Sequence, residues 1–157
     1  MIDFLIIGGG IAGISAAARL SELGSVTVLE SEDALAYHAS GRSAALFERN
    51  YGKPSTVALN AASYDFHKAA DVLSPRGLML VGSAEDQAAF DADFAQMGLR
   101  RLSIDDAAAR FPILDRNTVT QVGYDSRAQD IDTDKLVQTF ARKARKNGAT
   151  IVTKAAV

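Results

Sequence analysis

The run Phe4-Leu5-Ile6-Ile7 stops abruptly at Gly8-Gly9-Gly10, and this junction constrains the fold more than any other feature of the chain. A short continuous apolar run ending in glycine reads as a buried parallel strand. Ile11 to Leu23 follows as an Ala-rich helix, with Gly24 placed as a C′ glycine. Val26-Thr27-Val28-Leu29 is a second strand, ending at Glu30. Strand, glycine turn, helix and strand make a βαβ unit with an expected right-handed crossover. The turn itself is a G-x-G-x-x-G, Gly8 to Gly13. Gly8 permits a tight exit from the strand, Gly10 leaves the backbone open to a pyrophosphate, and Gly13 lets helix and sheet pack closely. Ile11, Ala12 and Gly13 begin the helix, whose free N–H groups and positive dipole end suit phosphates. Glu30 stands at the carboxyl end of the second strand, where its carboxylate can accept from ribose hydroxyls, with Ser31 beside it. That carboxylate would repel a 2′-phosphate, which argues against NADP. Together these features predict a dinucleotide-binding site.

The rest of the composition excludes other classes. The chain has 157 residues, 48% apolar and 23% charged, which is ordinary for a globular domain. A formal charge of -2 gives no broad footprint for nucleic acid or anionic membrane. With no cysteine and only His38 and His67, disulfide scaffolds, thiolate zinc sites, iron–sulfur clusters and His-based metal cages are excluded, and no metal is expected. The N-terminus has an acid at position 3 and no basic segment before its apolar run, so it reads as neither a signal peptide nor a membrane span. The expected location is the cytoplasm, with peripheral membrane attachment and oligomeric state left open.

The fingerprint alone fits NAD or FAD. After Glu30, however, comes Ala39-Ser40-Gly41-Arg42-Ser43-Ala44-Ala45, a small, hydroxylated loop with one Arg, suited to lie on a large planar cofactor and its phosphates. The same residues also read as a helix start with Ser40 as N-cap. Further on, Ser55 to Leu73 reads as a helix with Leu59, Ala62, Phe66, Ala69 and Leu73 on one face. Ser74 to Gly77 reads as a turn, Leu78 to Val81 as a strand, and Ser83 to Met97 as a helix carrying Phe90, Phe94 and Met97 and ended by Gly98. Ser103 begins a short helix with Asp106 completing a capping box. Val119 to Tyr124 is a strand, Thr133 caps a long helix bearing Leu136, Phe140 and Ala144, and Thr150 to Val157 is the last strand. Asp130, Asp132 and Asp134 have a metal-loop look but lack its glycine and distal Glu, so they read as helix capping.

The chain resembles the N-terminal part of the FAD-dependent amino-acid oxidoreductases of the D-amino-acid oxidase superfamily. The nearest subgroup is the bacterial D-arginine dehydrogenase type. The resemblance rests on Ile6 to Gly13, Val28-Leu29-Glu30, Tyr37 to Ala45, Tyr51-Gly52, Leu59 to Ser63, Ser74-Pro75-Arg76, Tyr124-Asp125 and Asp130 to Asp134. It implies an α/β fold: a Rossmann-like FAD-binding domain with a parallel sheet, residues 1–45 and 132–157, interrupted by part of an α+β substrate domain, 46–131. It implies FAD as cofactor, Glu30 on the adenosine ribose, and Ser40, Arg42, Ser43, Ala44 and Ala45 along the diphosphate and flavin. Tyr51 matches a tyrosine near the substrate and is the candidate catalytic residue. His38 is either a flavin contact or a loop histidine bonded to backbone, and His67 is expected to be exposed. Leu46 stands where the arginine-type subgroup carries a histidine, and Leu78 where it places an acid facing the guanidinium. A buried guanidinium without a carboxylate is costly, so the expected small-molecule substrate is an amino acid of less basic, apolar type. The implied reaction is oxidative deamination. An NAD-dependent dehydrogenase and a non-catalytic nucleotide-binding fragment are the alternatives. Complete members of this family are far longer, so the chain reads as an N-terminal fragment, inactive alone.

Overall fold

The computed structural model describes residues 1–156. Their fold is α/β, and they divide into two compact units: residues 1–45, 67–72 and 132–157, and residues 46–66 and 73–131.

The first unit is built on a parallel sheet. Strand β1 (Phe4–Ile7) leads into helix α1 (Ile11–Leu20) and strand β2 (Val26–Leu29). Phe4 pairs with Val26 and Ile7 with Leu29, and the outer side of β2 is joined by a late strand through Thr27–Thr150 and Leu29–Val152. The helix that precedes that strand, Thr133–Lys146, packs on α1. Ile14, Ala17 and Ala18 of α1 are buried, as are Val137, Ala141 and Ala144 of the later helix, and the alanines allow close approach of the two helices. Side chains alternate along the strands: Val26 and Val28 are buried, while Leu5 and Ile7 are 58% and 66% exposed. The expected fully buried strand is therefore half-buried, because among the described residues helices cover only one face of the sheet. Helix α1 also ends three residues before the expected Leu23, with Ser21 as its C-cap. Gly24 lacks a left-handed φ and is not a C′ glycine. It is small because a Cβ there would press on Asp3, whose carboxylate accepts from the Ser25 N–H and hydroxyl.

The second unit holds two antiparallel sheets. Strand β3 (Leu46–Phe47), helix α2 (Pro54–Ala69), strands β4 (Leu73–Pro75) and β5 (Leu78–Gly82), helix α3 (Gln87–Met97), strand β6 (Arg100–Arg101), helix α4 (Ile104–Arg110) and strands β7 (Gln121–Asp125) and β8 (Gln129–Ile131) follow in order. Helix α5 (Thr133–Lys146) and strand β9 (Thr150–Val152) then complete the first unit. The sheet orders are β3-β8-β4 and β5-β7-β6.

Several expected boundaries shift. The helix expected over 55–73 stops at Ala69: Val72 N–H closes on the His67 carbonyl, Asp71 takes a left-handed φ of 53°, and Leu73 enters β4. The expected turn at Ser74-Pro75 is thus strand, and Leu59 of the expected apolar face is exposed. Helix α3 starts at Gln87, not Ser83, because the Ser83 hydroxyl and N–H bond the Asp86 carboxylate and fold a separate turn. Gly98 ends it left-handed, as expected. Ser103 accepts from Asp106 N–H in the expected capping box. The cap of α5 is Asp132 rather than Thr133, its Oδ1 accepting from Lys135 N–H at 2.8 Å. Asp130 pairs with Arg76, and Asp134 accepts from Gln138. Beyond Val152 the chain leaves the sheet, and Val157 lies outside the described residues.

Candidate functional site

Gly8 leaves β1 with φ 102°, a conformation that suits glycine, and its N–H donates to the Leu29 carbonyl. This pulls the turn against the end of β2, where Glu30 begins. A Cβ on Gly13 would collide with the Gly8 carbonyl oxygen, so the first turn of α1 can sit on the strand exit only as glycine.

The Glu30 carboxylate reaches back onto this turn. It is 8% exposed. One oxygen accepts the Gly9 N–H at 2.6 Å; the other accepts the Glu32 N–H at 2.9 Å and the Ser31 hydroxyl at 3.2 Å. The backbone bonds from Glu32 and Gly9 hold its carboxyl below the usual carboxylate range, so it is an anion at neutral pH. Two carboxylate oxygens offer about four acceptor positions, and three are used here, which leaves capacity for a hydroxyl of a ligand.

At the start of α1, Gly10 occupies the N-cap position with no side chain to cap the helix. Ser40 supplies the cap from a distant segment, its Oγ accepting the Ile11 N–H at 3.0 Å. The N–H groups of Ala12 and Gly13 donate to no acceptor among the described residues. A helix N-terminus with unshared donors, an uncapped glycine and an anionic, hydroxyl-accepting carboxylate one turn away form a donor set that fits a dinucleotide: diphosphate on the amides, ribose on Glu30.

Ser40 belongs to a 3-10 turn, Ala39–Gly41, and not to the α-helix start that an N-cap at Ser40 would open. The turn returns to Gly9, whose carbonyl accepts from Ala36 N–H. Arg42 donates from Nε to the Tyr37 carbonyl and lies 5.2 Å from the Tyr37 ring centre. Ser43 accepts from Ala45 N–H, and Ala44 is exposed while Ala45 takes a left-handed φ of 47°. The structure thus gathers Gly8 to Gly13, Glu30, Ser31 and Ser40 around the turn, while Arg42 to Ala45 form the irregular segment that runs from the 3-10 turn to β3. The His38 ring meets a side chain rather than backbone, its Nε2 lying 2.9 Å from Glu32 Oε1, while its own carbonyl accepts from Gly41 N–H. His67 is half-buried rather than exposed, and burial lowers its pKa.

Sequence reasoning missed Gly9, whose N–H is the donor that locks Glu30 to the turn. Its signal was present as the middle of three glycines, but it occupies a variable position of the motif.

The residues expected near substrate lie in the second unit. Tyr51 is exposed and borders a cavity of about 1040 Å³ with Leu46, Val57, Leu78, Leu80 and Met97 among its walls.

With this geometry in view, residues 3–157 match the family model described as FAD dependent oxidoreductase. This chain belongs to that family. FAD is its cofactor. The fold is similar to that of the L-proline dehydrogenase from P. horikoshii, at 18% identity and a TM-score of 0.78 over 98% of this chain and 44% of that one. It is similar to the glycine oxidase of Geobacillus kaustophilus, at 18% identity and a TM-score of 0.77 over 97% and 46%. It is also similar to an L-alpha-glycerophosphate oxidase from Mycoplasma pneumoniae with FAD bound, at 19% identity and a TM-score of 0.78 over 97% and 44%. The chain spans less than half the length of each of these structures. Among the described residues no helix is long and apolar enough to cross a membrane.

Proposed function

We propose that this chain forms the cofactor-binding half of an amino-acid oxidoreductase. Residues 1–45 and 132–157 act as the FAD-binding domain and 46–131 as part of the substrate domain. When bound, FAD supplies a two-electron acceptor for oxidation of an amino acid's CH–NH2 group to an imine, which water hydrolyses to a keto acid. Glu30 accepts from the adenosine ribose, and the Ala12 and Gly13 amides with Ser40 hold the diphosphate. Arg42, Ser43, Ala44 and Ala45 run along the diphosphate and flavin. Tyr51 offers a phenol to the substrate at the mouth of the large cavity.

The observation that carries this reading is Glu30, an anion pinned by Gly9 N–H beside a helix N-terminus with unshared amides. The cavity walls are mostly apolar, with Asp93 and Lys53 the charged residues among them, and Leu46 and Leu78 stand in place of a histidine and an acid, which supports an apolar amino acid over arginine. The subgroup resemblance favours the D-enantiomer. Titration of this chain with FAD, followed by flavin fluorescence, tests the cofactor role. Binding is expected to be weak and to fall at least tenfold in Glu30→Ala, and unchanged binding in that variant contradicts it. For substrate, the enzyme containing this chain should show a higher kcat/KM for D-leucine than for D-arginine; the reverse order overturns the apolar assignment.

A further inference from the structure

Tyr51 lies in the short irregular segment between β3 and α2 and is 66% exposed. A side chain so placed is held little by its own packing. Its two neighbours are held instead. Asn50 Nδ2 donates to the Met97 carbonyl at 3.1 Å, and the Gly52 carbonyl accepts from Gln96 Nε2 at 2.7 Å. Gln96 and Met97 are the last two residues of α3. The backbone on both sides of Tyr51 is therefore tied to one helix end.

The two bonds have different grounds. The last carbonyls of a helix lack partners within it, and Asn50 supplies one to the buried Met97. Asn50 is itself fixed, its N–H donating to Glu48 Oε1 at 3.0 Å, so it serves the fold of this unit. Gln96 has no such task. It is exposed, and the end of α3 is closed without it, by Gly98 and Leu99 N–H groups on the Ala95 and Phe94 carbonyls. Asp93, Gln96 and Met97 are spaced three and four residues apart and so share one face of α3, and all three border the cavity that Tyr51 borders. What the Gln96 amide holds is the chain direction just after Tyr51. With that direction fixed, the phenol is confined to a few staggered positions, and a donor set in advance loses less freedom when substrate arrives.

We propose that Gln96 is a positioning residue for Tyr51, its amide holding the Gly52 carbonyl so that the phenol stays at the cavity mouth before substrate binds. The inference rests on the reading of Tyr51 as the phenol offered to substrate. Asn50 anchors the other side, but it also serves the fold, so Gln96 is the residue that separates positioning from stability.

Two substitutions test it. Gln96→Met keeps the length and neutrality of the side chain and removes the donor; Gln96→Lys puts a donor back. Gln96 is exposed, so neither removes a buried contact. In this chain labelled with fluorotyrosine, the fluorine NMR signal of Tyr51 is assigned by its absence in Tyr51→Phe. That signal should shift toward the position of the free amino acid in Gln96→Met and return in Gln96→Lys, while those of Tyr64 and Tyr124 stay. In the enzyme containing this chain, Gln96→Met should raise KM for D-leucine by about threefold or more with kcat unchanged, and Gln96→Lys should reverse the rise. In a Tyr51→Phe background, Gln96→Met should have no further effect. An unmoved Tyr51 signal in Gln96→Met, no recovery in Gln96→Lys, or a KM rise that persists in the Tyr51→Phe background each overturns the proposal. If Tyr51→Phe alone leaves KM unchanged, the substrate role of Tyr51 fails and this inference fails with it. A raised KM in Tyr51→Phe beside an unmoved signal in Gln96→Met overturns this inference alone.

Discussion

The two units are built from similar numbers of residues but by different rules. In the first, β1 is a continuous apolar run and β2 a β-branched one, each stopped by a residue with a job, Gly8 or Glu30. Their pairing is parallel, and a helix of small residues lies between them. In the second, six strands of two to five residues pair antiparallel in two sheets, and most carry no apolar run of their own. Arg100–Arg101 is a strand because β7 offers it a ladder, not because its residues favour one. The comparison teaches where close packing is written into single residues and where it is shared among many. At the glycine turn backbone meets backbone. In the second unit glycines meet the ends of side chains, which can move.

The sharpest way to break this contrast is a methyl group added on each side. Gly13→Ala should cost about 3 kcal/mol or more, because its Cβ meets the Gly8 carbonyl oxygen, which cannot withdraw without tearing the turn. Gly123→Ala should cost only about 1 kcal/mol, since its Cβ meets Leu99 Cδ1 and Phe94 Cδ2, both able to turn aside, and alanine is the better strand residue. Urea unfolding of the two variants reads the difference, and equal costs would abolish the distinction. A smaller effect separates two adjacent residues at the start of α5. Asp132→Ala should lose about 1 kcal/mol with its cap, and Thr133→Ala less than about 0.5 kcal/mol, by the same measurement.

The smallest effect is electrostatic. Glu30 has a lowered pKa when folded, so its anion contributes stability above the usual carboxylate range, and that contribution is lost as pH falls through the folded value. Between about pH 5 and pH 3, the native chain should lose stability more steeply than Glu30→Gln. Parallel profiles would mean that the Gly9 and Glu32 N–H bonds do not favour the charged form.

What was legible in the sequence follows the same division. The order strand, glycine turn, helix, strand, the burial of Phe90 and Met97 in α3, the Gly98 stop and the Ser103 cap stand where they were expected, because turn, stop and cap are decided by residues close in sequence, although α1 ends early and Gly24 is not its C′ glycine. The short strands β3, β4, β6 and β8 were not legible, because two or three residues have no period and take their conformation from a partner far along the chain. The α5 cap lies one residue from its expected place because Asp132 and Thr133 are both good caps, and the distant bond from Asp132 N–H to the Val72 carbonyl is not visible in the sequence. The candidate site divides likewise. Gly8, Gly10, Gly13 and Glu30 were readable from spacing, whereas the Ser40 cap on Ile11 and the lock from Gly9 to Glu30 needed the fold.

By itself, then, the order of residues determined that a strand would meet a glycine turn and a helix, and that an acid would follow at the end of the next strand. Those are local choices of conformation and polarity. The tertiary structure decided which face of the sheet is covered, which hydroxyl caps α1, and which helix end holds the segment around Tyr51. Those contacts join residues from 29 to 126 positions apart, and no local preference carries information over that distance.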